Sequence, residues 1–424
     1  MFVESISLEN IRTFAAEKTL KFNHPDRQYG QGHECEVTPS LKNINLLFGE
    51  NACGKTTLLE AVALAALGPS VIESRIAPRP LIRFSPATRK PSSLEKKKVG
   101  RMRATFALHD AEVKHQQGES SPTNGFSEIS VSQKGELESF HFMGSAHINW
   151  DEVYRSRNDS FFVVAYGATR RVDSTAERMH SKSRRSGFAR VERVESIVEE
   201  GYPVVSLPAW FSSHKKNSSR WKQVVDLING ALGRGHFVFE GNRSNDDFVF
   251  SQGGMEIPFR SLSDGYKAFL GWVTDLLFHL DLACERSELR LDEVSGIVMV
   301  DEIDLHLHPT WQMEVIGHLS KTFPRLQFIF TSHSPLIAGS VEWMNITRLR
   351  LDRQHRTGID PFEQPIHGLD ADQILVSDLF GLKTTRAAAK NRQLDELTRR
   401  ARAGDDEAAK QLIAELARGT EGEL

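Results

Sequence analysis

Cysteine is scarce: Cys35, Cys53 and Cys284 are the only three among 424 residues. Thiols so few and so scattered make neither a disulfide framework nor a CxxC metal knuckle, and they point to a reducing compartment. Long apolar runs are missing too. None approaches the roughly 20 residues that cross a bilayer, and the opening MFVESISLENIRTF alternates like a strand instead of forming a charged-then-apolar leader. A cytoplasmic protein with no membrane partner is expected. Net charge is only −3, so the chain as a whole has no attraction for nucleic acid, and any basic surface must be local. No internal repeat occurs.

What is present is ordinary for a protein with a sizeable core: 39% hydrophobic and 26% charged residues, enough chain for two or three domains. FVESISLENI and LKNINLLFGE read as two strands joined by a polar loop over 23–39, the second leading through glycines into a helix from about Lys55 to Leu67. Residues 68–100 are rich in Pro, Ser and Lys and read as a loop. Strand patterns follow at Ala104–Leu108, Phe126–Val131 and Phe161–Tyr166, with QKG as a hairpin turn, and a helix at Trp221–Leu232. Two short strands flank SQGGME. The last block alternates helix (Tyr266 to about Arg286), strand (Gly296–Val300), helix (Thr310–Thr322) and strand (Gln327–Phe330), which predicts a mainly parallel sheet. The tail from Arg386 is charged, alanine-rich and helical in pattern.

Three strand ends carry chemistry. GENACGKTT fits GxxxxGK[ST]: Gly49, Glu50, Asn51, Ala52, Cys53, Gly54, Lys55, Thr56 and Thr57 sit directly between an apolar strand and a helix. Such glycines let backbone N–H groups turn toward phosphate oxygens, the lysine reaches the terminal phosphates, and the Thr56 hydroxyl ligates Mg2+. GIVMVDEID ends a buried strand in Asp301, assigned to the metal, and Glu302, assigned as general base. LQFIFTSHS ends another in His333, placed to hydrogen-bond a γ-phosphate. His306 and His308, two apart, lack the partners of a metal motif and read as loop-shaping residues. SLSDGY opens a long apolar helix and offers Ser263 and Gly265 at a helix N-terminus.

The order of glycine loop, Ser-x-Gly turn, acid pair and histidine resembles the ABC-type ATPase heads of the RecF, SMC and OLD group. FFVVAYGATRRV and LFGLKTTR are similar to stretches of the shorter ATPases of bacterial antiphage systems, the Septu PtuA and retron-associated kind. The resemblance implies an α/β fold, a P-loop ABC-ATPase head with a mixed sheet and an inserted α/β lid region. It implies ATP and Mg2+ as cofactors and an ATP-bound homodimer, a higher oligomer staying open. In that dimer Lys55, Thr56, Asp301, Glu302 and His333 serve one nucleotide, Ser263 and Gly265 the other. Lys55, Glu302 and His333 are the implied catalytic residues, Arg12 approaches the nucleotide, and Asp304 links the two pockets. Asp264 stands where transporter versions carry glycine, so its charge must point away from phosphate or pair with a base. The expected domains are 1–67 and 261–350 as the two parts of the ATPase core, 68–260 as an insert, and 351–424 as a helical extension.

No glutamine can be assigned to the loop that couples metal to lid: Gln133 falls in the hairpin turn, and the strand ending at Tyr166 offers Arg170 instead. Without sustained heptads the insert encodes no long coiled-coil arm. Asp370 and Asp372 mimic a DxD metal pair, but two-metal nuclease chemistry needs more convergent acids. The leading expectation is therefore an ATP-hydrolysing regulatory subunit acting with a separate nuclease or toxin chain. A RecF-like ATPase of DNA repair is the alternative, binding duplex DNA through basic segments 89–103 and 170–193, with Lys96, Lys97, Lys98, Arg184 and Arg185. A transporter ATPase is disfavoured by the LSDGY variant and the extra middle region.

Overall fold

Two kinds of strand sequence build two kinds of sheet. The computed structural model describes residues 1–27, 38–74, 76, 80–83, 98–113, 123–134, 137–150, 160–173, 189–199, 203–233, 237–244, 247–360 and 362–417. Runs that are mostly apolar and buried at almost every position are covered on both faces, as in a parallel sheet. These are β3 (Ile44–Gly49), β7 (Phe162–Tyr166), β13 (Gly296–Val300) and β14 (Leu326–Thr331). With β15 (Ile346–Leu351) and β16 (Thr357–Asp360) they form a six-stranded sheet in the order β16-β15-β3-β14-β13-β7, antiparallel only at β16.

The alternating sequences make an antiparallel sheet of five strands, β2-β1-β4-β5-β6. Its members are β1 (Phe2–Glu9), β2 (Lys18–Lys21), β4 (Lys98–Ala107), β5 (Asn124–Lys134) and β6 (Leu137–Gly144). Helix α1 (Lys55–Leu67) packs against strands of both sheets, which explains its lack of a polar face: all its residues but Thr56 are buried. Each Leu or Val buried there contributes on the order of 2 kcal/mol. Helices α2 (Ser219–Leu232), α3 (Asp264–Ala283) and α4 (Pro309–Thr322) follow. Strands β8 (Arg171–Asp173) and β9 (Pro203–Val205) pair in parallel, and β10 (Val238–Ser244), β11 (Asp247–Gln252) and β12 (Met255–Pro258) form a small sheet. No helix among the described residues is long and apolar enough to cross a membrane.

The structure departs from the sequence reading in four places. Strand β2 pairs with β1 just before the 23–39 loop, in a stretch to which the sequence reading assigns no element. Residues 68–260 do not stand apart as an insert, because β4 pairs with β1 and β7 pairs with β13 of the central sheet. The stretch after 350 begins with a core strand, β16, and the chain divides between Leu369 and Asp370. Gln133 lies in β5 opposite Lys98 and Glu138, one sheet away from the acid pair.

The second unit, Asp370–Leu424, contains the helices α5 (Ala388–Arg402) and α6 (Asp406–Ala417), which bury Leu394, Leu397 and Ala408. Asp370 N-caps a short helix through a capping box with Gln373, a structural use for a residue of the DxD look-alike.

Candidate functional site

Strand register brings the motifs to one edge. Val300 lies opposite Phe330, and Thr331 lies opposite Leu47, so Asp301, Ser332 and the glycine loop all leave the carboxyl ends of neighbouring parallel strands. That edge is where open α/β sheets bind ligands.

The glycine loop turns with Ala52 and Gly54 in the left-handed region (φ 63° and 97°). At Gly54 a Cβ would stand 2.7 Å from the Phe14 ring and 2.9 Å from Thr13 Oγ1, so only glycine fits. Thr357 of β16 buttresses the loop, its hydroxyl donating to the Cys53 carbonyl at 2.8 Å. The Lys55 ammonium folds back to donate to the carbonyls of Gly49 (2.9 Å) and Glu50 (3.1 Å). Glu50, Asn51 and Ala52 are exposed at the rim. Gly54 caps α1 without a side-chain hydrogen bond, which leaves the first-turn amides without a capping side chain, as an anion-binding helix start requires.

Asp301 is buried and held from two sides: Thr56 Oγ1 donates to Oδ2 at 2.7 Å and Thr331 Oγ1 to Oδ1 at 2.5 Å. The Thr331 hydroxyl also accepts from the Glu302 amide at 2.7 Å. Glu302 has a left-handed backbone (φ 49°), and its carbonyl accepts from Arg170 Nη2 at 2.7 Å. Asp304 Oδ1 accepts from the His333 amide at 3.4 Å.

Charge ties these groups together. Burial pushes the Lys55 ammonium below its ordinary pKa, and the Cys53 thiol, Asp301, Glu302 and Asp304 oppose that shift. Burial, followed by the Lys55 charge, lowers His333, while Asp304, Glu302 and Asp301 pull the other way. A neutral imidazole therefore stands in the cluster near pH 7. Burial raises the Cys53 thiol, so the loop cysteine is a packed, protonated group.

Other predicted site residues lie differently. Arg12, itself left-handed (φ 41°), directs Nη2 to Glu60 of α1 at 2.8 Å and donates from Nη1 to Thr57 Oγ1 at 3.3 Å. Its guanidinium is thus committed to the flank of the phosphate-loop helix. Ser263 is exposed and N-caps α3 without a side-chain bond to it. The Asp264 carboxylate is 97% exposed and lies 3.4 Å from Lys267, so the extra charge both points outward and is paired. A Cβ on Gly265 would stand 2.2 Å from the His306 carbonyl oxygen. Close packing onto His306, whose backbone is also left-handed (φ 65°), therefore explains this glycine. Among the described residues, no hydrogen bond or ion pair joins Ser263 or Gly265 to Lys55, Thr56, Asp301 or His333. His308 caps α4.

Cys35, Lys96, Lys97, Arg184 and Arg185 lie outside the described residues. Elsewhere in the basic segments Arg101 pairs with Glu9 at 2.7 Å, Arg103 with Glu128 at 3.8 Å, and Arg190 and Arg193 are buried. Thr331 and the hold of Arg170 on Glu302 were not assigned from sequence. A threonine directly before Ser332 and His333 was the available signal for the first.

Residues 5–186 match the family model "AAA domain", and residues 172–339 match "AAA domain, putative AbiEii toxin, Type IV TA system". The Septu protein PtuA of Bacillus mycoides (strain KBAB4) is 24% identical over 80% of this chain and 41% of its own length. The "Retron Ec83 probable ATPase" of Escherichia coli is 39% identical over 33% of this chain and 25% of its own. For the "Retron Vc95 probable ATPase" of Vibrio cholerae the figures are 41%, 22% and 18%. The chain thus spans less than half the length of each of these relatives. Among solved structures, the SMC head domain from Thermotoga maritima superposes with a TM-score of 0.44 at 12% identity, covering 86% of this chain and 100% of that one. Between them the two domain matches span residues 5–339, and the chain is similar to Septu PtuA and to the retron ATPases.

Proposed function

We propose that the protein binds and hydrolyses ATP with Mg2+ and, as an ATP-driven homodimer, regulates a separate effector chain in bacterial antiphage defence. The observation that carries this reading is the meeting of Lys55, Thr56, Asp301, Glu302 and His333 at one edge of a parallel sheet. The donor set fits the cofactors: Thr56 and Asp301 offer hard oxygens 2.7 Å apart at a helix N-terminus, the ligand type Mg2+ takes. Magnesium held by these two residues would neutralise charge on the terminal phosphates.

In this reading Lys55 leaves the Gly49 and Glu50 carbonyls to bind phosphate oxygens. Glu302 takes the proton from the attacking water, and neutral His333 donates a hydrogen bond to the γ-phosphate without adding charge. Ser263, exposed at the start of α3, serves the nucleotide of the other protomer. The effector role rests on the similarity to Septu PtuA and the retron ATPases. Glu302→Gln, tagged and expressed in its own host with its gene neighbours, tests it. A stoichiometric protein partner with nuclease-type acids supports the regulatory role. Duplex DNA alone would favour a repair clamp, and recovery of neither in any nucleotide state would sink the effector proposal.

A further inference from the structure

Arg170 is a cation that the ATPase roles leave unused. It follows the edge strand β7, four residues past Tyr166, whose carbonyl accepts from the Asp301 amide at 2.8 Å. The turn that carries it is fixed from below. Ser196 donates to the Ala165 carbonyl at 2.7 Å and accepts from the Gly167 amide at 3.3 Å, and a Cβ on Gly167 would stand 2.3 Å from the Ser196 carbonyl oxygen. From this fixed turn the guanidinium reaches the Glu302 carbonyl at 2.7 Å. It lies among Asp301, Glu302 and Asp304, which oppose the fall to about 10 that burial imposes on its pKa, so it is charged at neutral pH.

Glu302 needs such a hold. Its backbone is left-handed, a conformation that non-glycine residues keep only where surroundings enforce it. The Thr331 hydroxyl fixes its amide, and Arg170 fixes its carbonyl with a charge-assisted bond. The Leu305 amide, also bonded to that carbonyl at 3.1 Å, belongs to the loop being held and cannot anchor it to the sheet.

We propose that Arg170 is the positioning residue of Glu302: by clamping the Glu302 carbonyl to the end of β7 it sets the direction of the carboxylate that receives the proton. This rests on the ATP-hydrolysis reading above. Clamping adds a second consequence. Arg170 leads directly into β8, β8 pairs with β9, and the Val205 amide at the end of β9 donates to Asp275 Oδ1 of α3 at 2.7 Å. Tyr166 closes the circuit with its hydroxyl on Asp275 Oδ2 at 2.8 Å. The acid-pair loop and the helix that presents Ser263 are thereby fastened to one short segment.

Wild type, Arg170→Met and Arg170→Lys are compared in three measurements. These are kcat and KM for ATP, the affinity for a fluorescent ATP analogue, and amide hydrogen exchange of residues 301–306 in nucleotide-free protein. Arg170→Met is expected to lower kcat roughly 10–100-fold while analogue affinity stays within about threefold, because a group that only positions the base acts after binding. Exchange over 301–306 should accelerate about tenfold, reporting the loosened turn. Arg170→Lys, which keeps a charged donor, should recover most of kcat.

Unchanged kcat in Arg170→Met overturns the assignment, as does a loss of affinity at constant kcat, which would make Arg170 a phosphate ligand instead. If Arg170→Met does not fold, Arg170→Lys decides: kcat within about fivefold of wild type with normal exchange supports the clamp, and a fall of about 100-fold or more contradicts it. If wild type itself shows no hydrolysis, the functional reading fails, while the exchange comparison still decides whether Arg170 holds the Glu302 turn.

Discussion

Thr56 donates its hydroxyl to Asp301 over 2.7 Å, joining the first turn of α1 to the end of β13 across 245 residues of sequence. A helix start and a strand end become one oxygen-lined corner. If that corner holds Mg2+, replacing the carboxylate by its amide isostere removes the charge and keeps one acceptor oxygen, while one of the two threonine hydroxyls reverses to accept from the new NH2. Asp301→Asn is expected to fold normally and to lose about 10–100-fold in the Mg2+ dependence of binding a fluorescent ATP analogue. A Mg2+ titration identical to that of wild type would take Asp301 out of the metal site.

Ser263 and Gly265 are two residues apart and should fail in different ways. The Gly265→Ala methyl must displace the His306 carbonyl, which the backbone resists. Overpacking of this kind costs about 1–3 kcal/mol, or roughly 2–10 °C in Tm for a domain this large. Ser263 is exposed and makes no side-chain cap, so Ser263→Ala should leave Tm and single-protomer nucleotide affinity unchanged while abolishing ATP-driven dimerisation. Calorimetry and sedimentation velocity with ATP separate the two, and a dimer that forms normally in Ser263→Ala would remove Ser263 from the composite site.

His24 makes stability depend on pH. Burial against Phe2 holds its folded-state pKa down to about 4 from an ordinary 6.5, with Asp26 opposing. The unfolded chain takes up a proton that the folded chain refuses. Its contribution is therefore complete above about pH 6.5 and lost as pH falls toward 4, up to about 3 kcal/mol. Urea midpoints of wild type and His24→Gln should converge as pH drops from about 7.5 to 4.5. Parallel pH profiles would show that His24 titrates normally.

Much of the site was legible because its chemistry sits at the ends of strands buried on both faces. INLLF, GIVMV and LQFIF announce a parallel sheet by being apolar at all but one position each at most, Asn45 and Gln327, and each is followed directly by its motif. What stayed hidden depends on partners far along the chain. Strand β2 is only KTLK, and its pairing with β1, not its own pattern, defines it. Thr331 looks like any strand residue until Asp301 and the Glu302 amide arrive beside it. Arg170 was seen as standing where a coupling glutamine was sought, but its bond to the Glu302 carbonyl spans 132 residues and leaves no local trace. Gly265 read as a residue that lets phosphate approach, whereas the neighbour at 2.2 Å is the His306 carbonyl of its own chain.

The central claim, that this edge of the sheet hydrolyses ATP through Glu302, is tested most directly by one comparison of wild type with Glu302→Gln. ATP turnover and fluorescent-analogue affinity are measured on the same preparations with Mg2+. The account predicts wild-type turnover that falls about 100-fold or more in Glu302→Gln, with affinity within about threefold and an ATP-stabilised dimer that persists. Equal turnover in the two proteins, or none in wild type despite tight binding, would contradict it.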